Sequence, residues 1–238
     1  MANPKILSTK KLHPALAAAA RQHFELAEAD AIAIEIIRTA EKETELKAWL
    51  QKPNLDAAFT SAHAAEALLP FVTDQTLGWN LFCLEGKTRE TLVQPRLQPI
   101  GTIRETAADA SALAEAIIRR KVERLVFFCG DRRRDELPQL LKAAGITVDE
   151  AIVYRTVEIP VRCHEPPDGL LFFSPSAVHS FFSSNSLQAR TVCFALGATT
   201  AATLASATPN RIVTAAAPTQ QAMLDAVTHY FDQTNNNK

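Results

Sequence analysis

The sequence predicts an α/β protein of two similar domains, each a parallel sheet flanked by helices, joined by a two-stranded linker. Three observations carry this expectation. Segments of the first half return in order in the second half at an offset of about 112 residues, the mark of a duplicated unit. Short apolar runs without polar alternation recur between helix-like stretches, as strands do when helices cover both faces of a parallel sheet. Most of these runs lead at once into a small or hydroxylated residue that can open a helix.

The echoes are specific. Phe59-Thr60-Ser61-Ala62-His63-Ala64-Ala65 returns as Phe172-Phe173-Ser174-Pro175-Ser176-Ala177-Val178, Leu84-Glu85-Gly86-Lys87-Thr88 as Ala195-Leu196-Gly197-Ala198-Thr199, and Ala107–Leu113 as Pro218–Leu224.

The elements follow in order. Lys5–Ser8 is a short strand, and Leu12–Gln22 a helix with Pro14 near its start, where a missing N–H costs nothing. Ala31–Ile37, rich in isoleucine, reads as the second strand of a strand–helix–strand unit. Glu43–Gln51 is a helix, Asp56–Thr60 a strand, and Ala62–Leu69 a helix stopped by Pro70. Trp79–Leu84 is a strand and Lys87–Val93 a helix. Ala108–Arg120 is a helix by the spacing of Leu113 and Ile117. Leu125–Cys129 is a strand, Asp135–Ala144 a helix capped by Gly145, and Ala151–Val157 a strand. The second copy supplies strands at Gly169–Phe173, Thr191–Leu196 and Arg211–Val213, with helices at Ser176–Ser183, Thr199–Ala205 and Gln220–Phe231. The polar end, residues 233–238, has nothing to bury and is expected to fray.

The unit Lys5–Ile37 resembles Arg124–Val157, and the second copy lacks such a unit after it. An interleaved topology follows. One domain combines 1–37 with 160–238, the other is an inserted domain of 40–155, and 38–39 and 156–159 form the linker strands. A ligand site is expected between the two domains.

Composition narrows the function. With 47 % hydrophobic and 21 % charged residues the chain can fill two cores. A net charge of -1 argues against general nucleic-acid binding. No apolar run is long enough to span a bilayer and the start lacks a signal-peptide pattern, so a cytoplasmic protein without membrane partner is expected. Cys83, Cys129, Cys163 and Cys193 are widely spaced, and Cys-x-x-Cys and His-Glu-x-x-His are both missing, so no metal is expected. The seven glycines form no nucleotide-binding loop, so no organic cofactor is expected either.

In parallel α/β sheets ligands gather at the carboxyl ends of strands. There the chain places Ser8, Thr60, Ser61, Gly86, Thr88, Ser174, Ser176, Gly197, Thr199 and Thr219. Hydroxyls and bare helix N-termini suit carboxylates or phosphates, although each hydroxyl also suits an ordinary N-cap. Lys10 and Arg132, with Lys11, Lys87, Arg89, Arg133 and Arg134 nearby, offer a basic rim or a solvated charge run. His63 and His179 sit on helices and read as structural; His13 and His164 lack ligand spacing. Tyr154, one of two tyrosines, lies at the expected domain crossing and can offer a phenolic O–H as hydrogen-bond donor or weak acid.

Taken together, Phe59-Thr60-Ser61, Gly130-Asp131-Arg132-Arg133-Arg134-Asp135-Glu136-Leu137, Val153-Tyr154-Arg155-Thr156, Phe173-Ser174-Pro175-Ser176-Ala177-Val178, Leu196-Gly197-Ala198-Thr199-Thr200-Ala201 and Pro218-Thr219 resemble the uroporphyrinogen-III synthase family over nearly the whole chain. The resemblance implies two α/β domains with the active site in the cleft between them, and neither metal nor organic cofactor. It implies cyclisation of hydroxymethylbilane, a linear tetrapyrrole polycarboxylate, with loss of water and inversion of ring D. It makes Tyr154 the catalytic residue that helps the hydroxyl leave, and sets Thr60, Ser61, Ser174, Ser176, Thr199 and Thr219 around the substrate; Ser8, Lys10, Gly86, Thr88, Arg132 and Gly197, read from the strand ends, complete the expected substrate-binding set. A monomer, with transient handover from hydroxymethylbilane synthase, is the expected working form. Glu85 departs from the family pattern by adding a negative charge beside a polyanion site. The alternative is a non-catalytic two-lobed module that binds an anionic small molecule.

Overall fold

The structure, a computed structural model, describes residues 3–163 and 165–236. The chain divides into two compact units, residues 1–33 with 157–238, and residues 34–156.

In the first unit, β1 (Lys5–Ser8) leads through α1 (Pro14–Ala20) to β2 (Glu25–Glu28). The chain returns at β9 (Gly169–Phe172), then α7 (Pro175–Phe182), β10 (Val192–Ala195), α8 (Ala198–Ala207), β11 (Ile212–Thr214) and α9 (Gln220–Asn236). The sheet order is β11-β10-β9-β1-β2, with every pair parallel. Strand alternation fills both faces. Ile6, Leu171 and Phe194 pack with Leu12, Ala17 and Phe24 at α1 and with Met223, Leu224 and Val227 of α9. Leu7, Leu170, Phe172 and Cys193 pack with Val178 and Phe181 of α7 and Leu204 of α8.

The second unit holds α2 (Ala40–Leu50), β4 (Asp56–Phe59), α3 (Ala62–Glu66), β5 (Trp79–Leu84), α4 (Lys87–Leu92), β6 (Gly101–Ala107), α5 (Ala110–Arg119), β7 (Arg124–Gly130), α6 (Glu136–Ala143) and most of β8 (Thr147–Glu158). Its sheet runs β3-β8-β7-β4-β5-β6, where β3 is Ile32–Ile36. From β8 to β6 all pairs are parallel. Phe59 stacks on Phe128 and Phe128 on Trp79, at 5.2 and 5.9 Å between ring centres, beneath α2, α3 and α4. Phe82, Phe127 and Cys129 face α5 and α6.

Both units therefore share one strand order. β2-β1-β9-β10-β11 matches β8-β7-β4-β5-β6, with the two blocks exchanged along the chain. That exchange explains why the sequence shows one set of echoes near an offset of about 112 and another near 120.

The structure corrects the first strand–helix–strand unit. The parallel partner of β1 is β2, in register from Lys5 opposite Glu25 to Ser8 opposite Glu28. The isoleucine-rich strand β3 instead lies beside β8. Ile37 N–H donates to Val153 O and Ile159 N–H to Ala31 O, so the two strands run antiparallel. β2 and β6 both lie at sheet edges, where charged residues replace the continuous apolar pattern. At the other end of the chain α9 remains helical through Asn236, beyond the expected stop at Phe231.

Candidate active site

Each doubly wound sheet has a point where the connections leave in opposite directions, and ligands collect at the carboxyl ends of the strands there. In the first unit it lies between β1 and β9, whose following turns carry Ser8, Lys10, Ser174 and Ser176. In the second it lies between β7 and β4, followed by Arg132 and by Thr60 and Ser61. Seven expected site residues thus fall at the two switch points.

The hydroxyls at these turns differ in what they have left to give. Ser174 Oγ accepts the Ala177 N–H at 3.2 Å and caps α7; Thr219 Oγ1 accepts the Ala222 N–H at 3.1 Å and caps α9. Ser61 Oγ accepts the His63 N–H at 3.3 Å. A hydroxyl that accepts as a cap keeps its proton, so capping and donation to a ligand are compatible. Ser176 and Thr60 are half-buried, and Thr199 is exposed. Gly197 opens α8 with no side-chain cap, and a Cβ there would meet nothing within 4 Å. The first N–H groups of a ten-residue helix are thus left to solvent or ligand.

Two of the expected site residues are buried. Ser8 is fully buried, and its hydroxyl donates to Lys10 O at 2.5 Å. Its donor is used inside its own turn, and that of Thr9 is spent on the neighbouring strand β9, where it donates to Leu171 O at 2.7 Å. Thr88 is buried in the first turn of α4, which packs against α3. Gly86 is exposed with φ 70°, a left-handed angle that favours glycine. Glycine is required there by the backbone, since a Cβ would stand in open space.

Lys10 and Arg132 are exposed. Arg133 turns inward to pair with Glu150, which also takes Lys142 at 2.9 Å. Burial opposes ionisation of Glu150, but the Lys142 hydrogen bond and the Arg133 guanidinium outweigh it and hold the carboxyl below its ordinary range. Arg133 is thereby a structural cation and not part of a basic rim. Glu85 is exposed. His164 lies outside the described residues.

Tyr154 is aimed by a β-bulge. β7 and β8 are in register through Cys129 opposite Ile152, then slip so that Gly130 stands opposite Tyr154. Val153 is the extra residue. Without the slip, Val153 and Tyr154 would face opposite sides of the sheet. With it, both pack on the α3 side. The Tyr154 ring lies over Gly130 and makes an edge contact with His63, at 5.8 Å between ring centres. Asp131 holds the bulge: its N–H donates to Tyr154 O at 3.1 Å, and its Oδ1 accepts the Thr156 N–H at 2.9 Å. His63 Nδ1 lies 3.0 Å from Glu66 Oε2. Sequence reasoning reads His63 as structural, carries Asp131 only inside the family segment and gives Glu66 no role. Periodicity places a side chain on its own helix or strand, and their contacts run between elements.

The cysteine thiols offer no nucleophile at this edge. Burial pushes Cys83 and Cys129 up to about 11 and Cys193 up to about 12. Among the described residues no group of acidic, histidine and cysteine side chains could hold a metal ion. A cavity of about 590 Å3 in the second unit opens at the amino ends of the strands, beside Asp56, Asn80 and Arg124. There Arg120 and Arg124 are already paired with Glu105 and Asp149, so its volume does not mark the chemistry.

Comparison with known proteins places this fold. The profile of the family described as HEM4, Uroporphyrinogen-III synthase HemD, matches residues 16–225. A uroporphyrinogen-III synthetase from Helicobacter pylori superimposes with a TM-score of 0.65 at 16% identity, over 95% of this chain and 99% of that one. A mutant uroporphyrinogen III synthase from the extremely thermophilic bacterium Thermus thermophilus gives 0.59 at 15% identity, over 98% of this chain and 99% of that one. At such identities these likenesses speak for the fold. No curated protein sequence matches the chain.

Proposed function

This chain belongs to the uroporphyrinogen-III synthase family, and on that premise we propose how its own residues perform the family's reaction. The enzyme closes hydroxymethylbilane into uroporphyrinogen III, with loss of water and inversion of ring D, in porphyrin biosynthesis. The observation that carries the assignment of roles is the bulged strand that turns Tyr154 onto the α3 side of the second unit, beside the Thr60–Ser61 turn.

The substrate carries its own driving force. When the hydroxyl leaves, a pyrrole nitrogen stabilises the resulting azafulvene cation, so no enzymatic nucleophile is needed. Tyr154 donates a hydrogen bond, and at the limit its proton, to the departing oxygen, which leaves as water. The substituted carbon of ring D then attacks to give a spiro intermediate, which reopens and recloses with the ring inverted. Without the enzyme the unsubstituted end closes instead and gives the I isomer. Most of the catalytic task is therefore to hold a flexible polyacid in one geometry, an effect worth roughly 7–11 kcal/mol in favourable systems.

Eight carboxylates need donors. We assign this role to the α8 N-terminus at Gly197 and Thr199, to the hydroxyl protons left on Ser174, Ser176 and Thr219, and to Lys10 in the first unit. In the second unit Thr60, Ser61, the Gly86 turn and Arg132 serve it. Ser8 and Thr88 act by shaping the turns. Among the described residues no helix is long and apolar enough to cross a membrane. A monomer working in the cytoplasm, receiving substrate from hydroxymethylbilane synthase, completes the proposal.

The test couples the protein to hydroxymethylbilane synthase and separates the oxidised uroporphyrin isomers. Isomer III in excess over the spontaneous I product is the expected result. Isomer I alone, with tetrapyrrole still bound, would mark a binding module instead.

A further inference from the structure

We propose that His63, anchored by Glu66, is a positioning residue that holds the Tyr154 phenol at its working angle. The inference rests on the reading above and adds to it a residue that the family resemblance does not include.

Three observations support it. The His63 and Tyr154 rings meet at 64° between planes, an edge-to-face contact that fixes orientation as well as distance. The contact exists because of the register slip at Gly130: an unbulged β8 would carry Tyr154 on the side of the sheet away from α3. Glu66 then fixes the imidazole. A carboxylate can only accept, so the 3.0 Å contact makes Nδ1 the donor and sets the ring's orientation about its side-chain bonds. Glu66 to His63 to Tyr154 is thus a chain of defined contacts across two elements, ending on the phenol.

The setting favours function over packing. The His63 and Glu66 side chains are 39% and 36% exposed, so the core gains little from them. His63 stands in the first turn of α3, immediately after the Thr60–Ser61 turn, and Glu66 is the last residue of the same short helix. The charged groups on α4, the helix packed against α3, are Lys87, Arg89 and Glu90, and Asp131 follows β7; of the groups around His63, Tyr154 is the one in ring contact.

The experiment measures kcat and KM for isomer III formation in four proteins: the unmodified enzyme, His63→Ala, Tyr154→Phe and the double variant. His63→Ala is expected to lower kcat about tenfold with KM little changed, a size common for groups in contact. In the Tyr154→Phe background the same change is expected to cost nothing further, because the hydroxyl it aims is gone. An equal loss in both backgrounds would mean a purely structural histidine and would overturn the proposal, as would an unchanged kcat. If His63→Ala fails to fold, Glu66→Gln replaces it. That change keeps the shape of the side chain and weakens the anchor; the expected fall in kcat, seen only where Tyr154 is intact, decides the matter the same way. Failure of the unmodified enzyme to make isomer III would instead count against the function and leaves a different signature.

Discussion

Tyr154 stands where a side chain on Gly130 would have to be: a Cβ at Gly130 would lie 2.3 Å from Tyr154 Cε2 and 2.5 Å from Cζ. The glycine at the end of β7 and the tyrosine of β8 are one device, since the bulge aims the ring and the missing side chain leaves it room.

Gly130→Ala is therefore expected to push the ring off the edge. Isomer III formation should fall at least as far as in Tyr154→Phe, and Tm should drop by several degrees, in keeping with a destabilisation of about 1–3 kcal/mol for an overpacked site. Steady-state rates and a thermal melt check both parts. An unchanged rate would show that the ring has another place to work from.

Tyr154→Phe keeps the ring and its packing on His63 and removes only the hydroxyl. The expectation is a fall in kcat of about 10²-fold, within the usual range for a proton donor, with Tm nearly constant. Turnover as fast as that of the unmodified enzyme would take Tyr154 out of the reaction.

Gly197→Asp tests the open helix end. An aspartate there can cap α8, and glycine is already a fair N-cap, so stability should rise by only a few tenths of a kcal/mol. The added charge occupies the N–H groups assigned to substrate carboxylates and repels them. KM for hydroxymethylbilane is expected to rise while Tm holds or increases. A KM that stays put would exclude the α8 end from binding.

Glu150 supplies a pH-dependent contribution. Its carboxyl titrates lower in the folded protein than in the unfolded chain, so its stabilisation is complete above the ordinary glutamate range, about 4.3, and is lost as pH falls through the lower folded value. Glu150→Gln should remove that part of the acid sensitivity. Urea unfolding at neutral and at acid pH is expected to show the variant less stable than the parent at neutral pH, with the gap closing in acid. A gap that widens in acid would reverse the sign of this account.

Most of the fold was legible because the central strands are buried on both faces. Lys5–Ser8, Trp79–Leu84 and Leu125–Cys129 read as continuous apolar runs, and the helices between them carry ordinary start and stop residues. β2 and β6 were not legible, because Glu25, Glu28, Arg104 and Glu105 break the pattern at sheet edges that need no full burial. The site divides in the same way. Tyr154 and the turn residues could be placed from position along the chain. The burial of Ser8 and Thr88 and the contact of His63 with Tyr154 depend on packing between separate elements, which a single sequence does not display. The bulge is of that kind too, since it is settled by the register of two strands against each other.

The exchanged order of strand blocks also sets a timetable for synthesis. Residues 34–156 emerge as one uninterrupted stretch and can complete their sheet while the chain is still on the ribosome. β1, α1 and β2 emerge before that stretch yet must wait, because the neighbour that β1 needs begins at Gly169. Until then Ile6 and Leu7 have half a core, and the loop that completes it spans the whole inserted unit. The segment made before the inserted unit is thus finished after it, and it is where a nascent chain would most need a chaperone's cover.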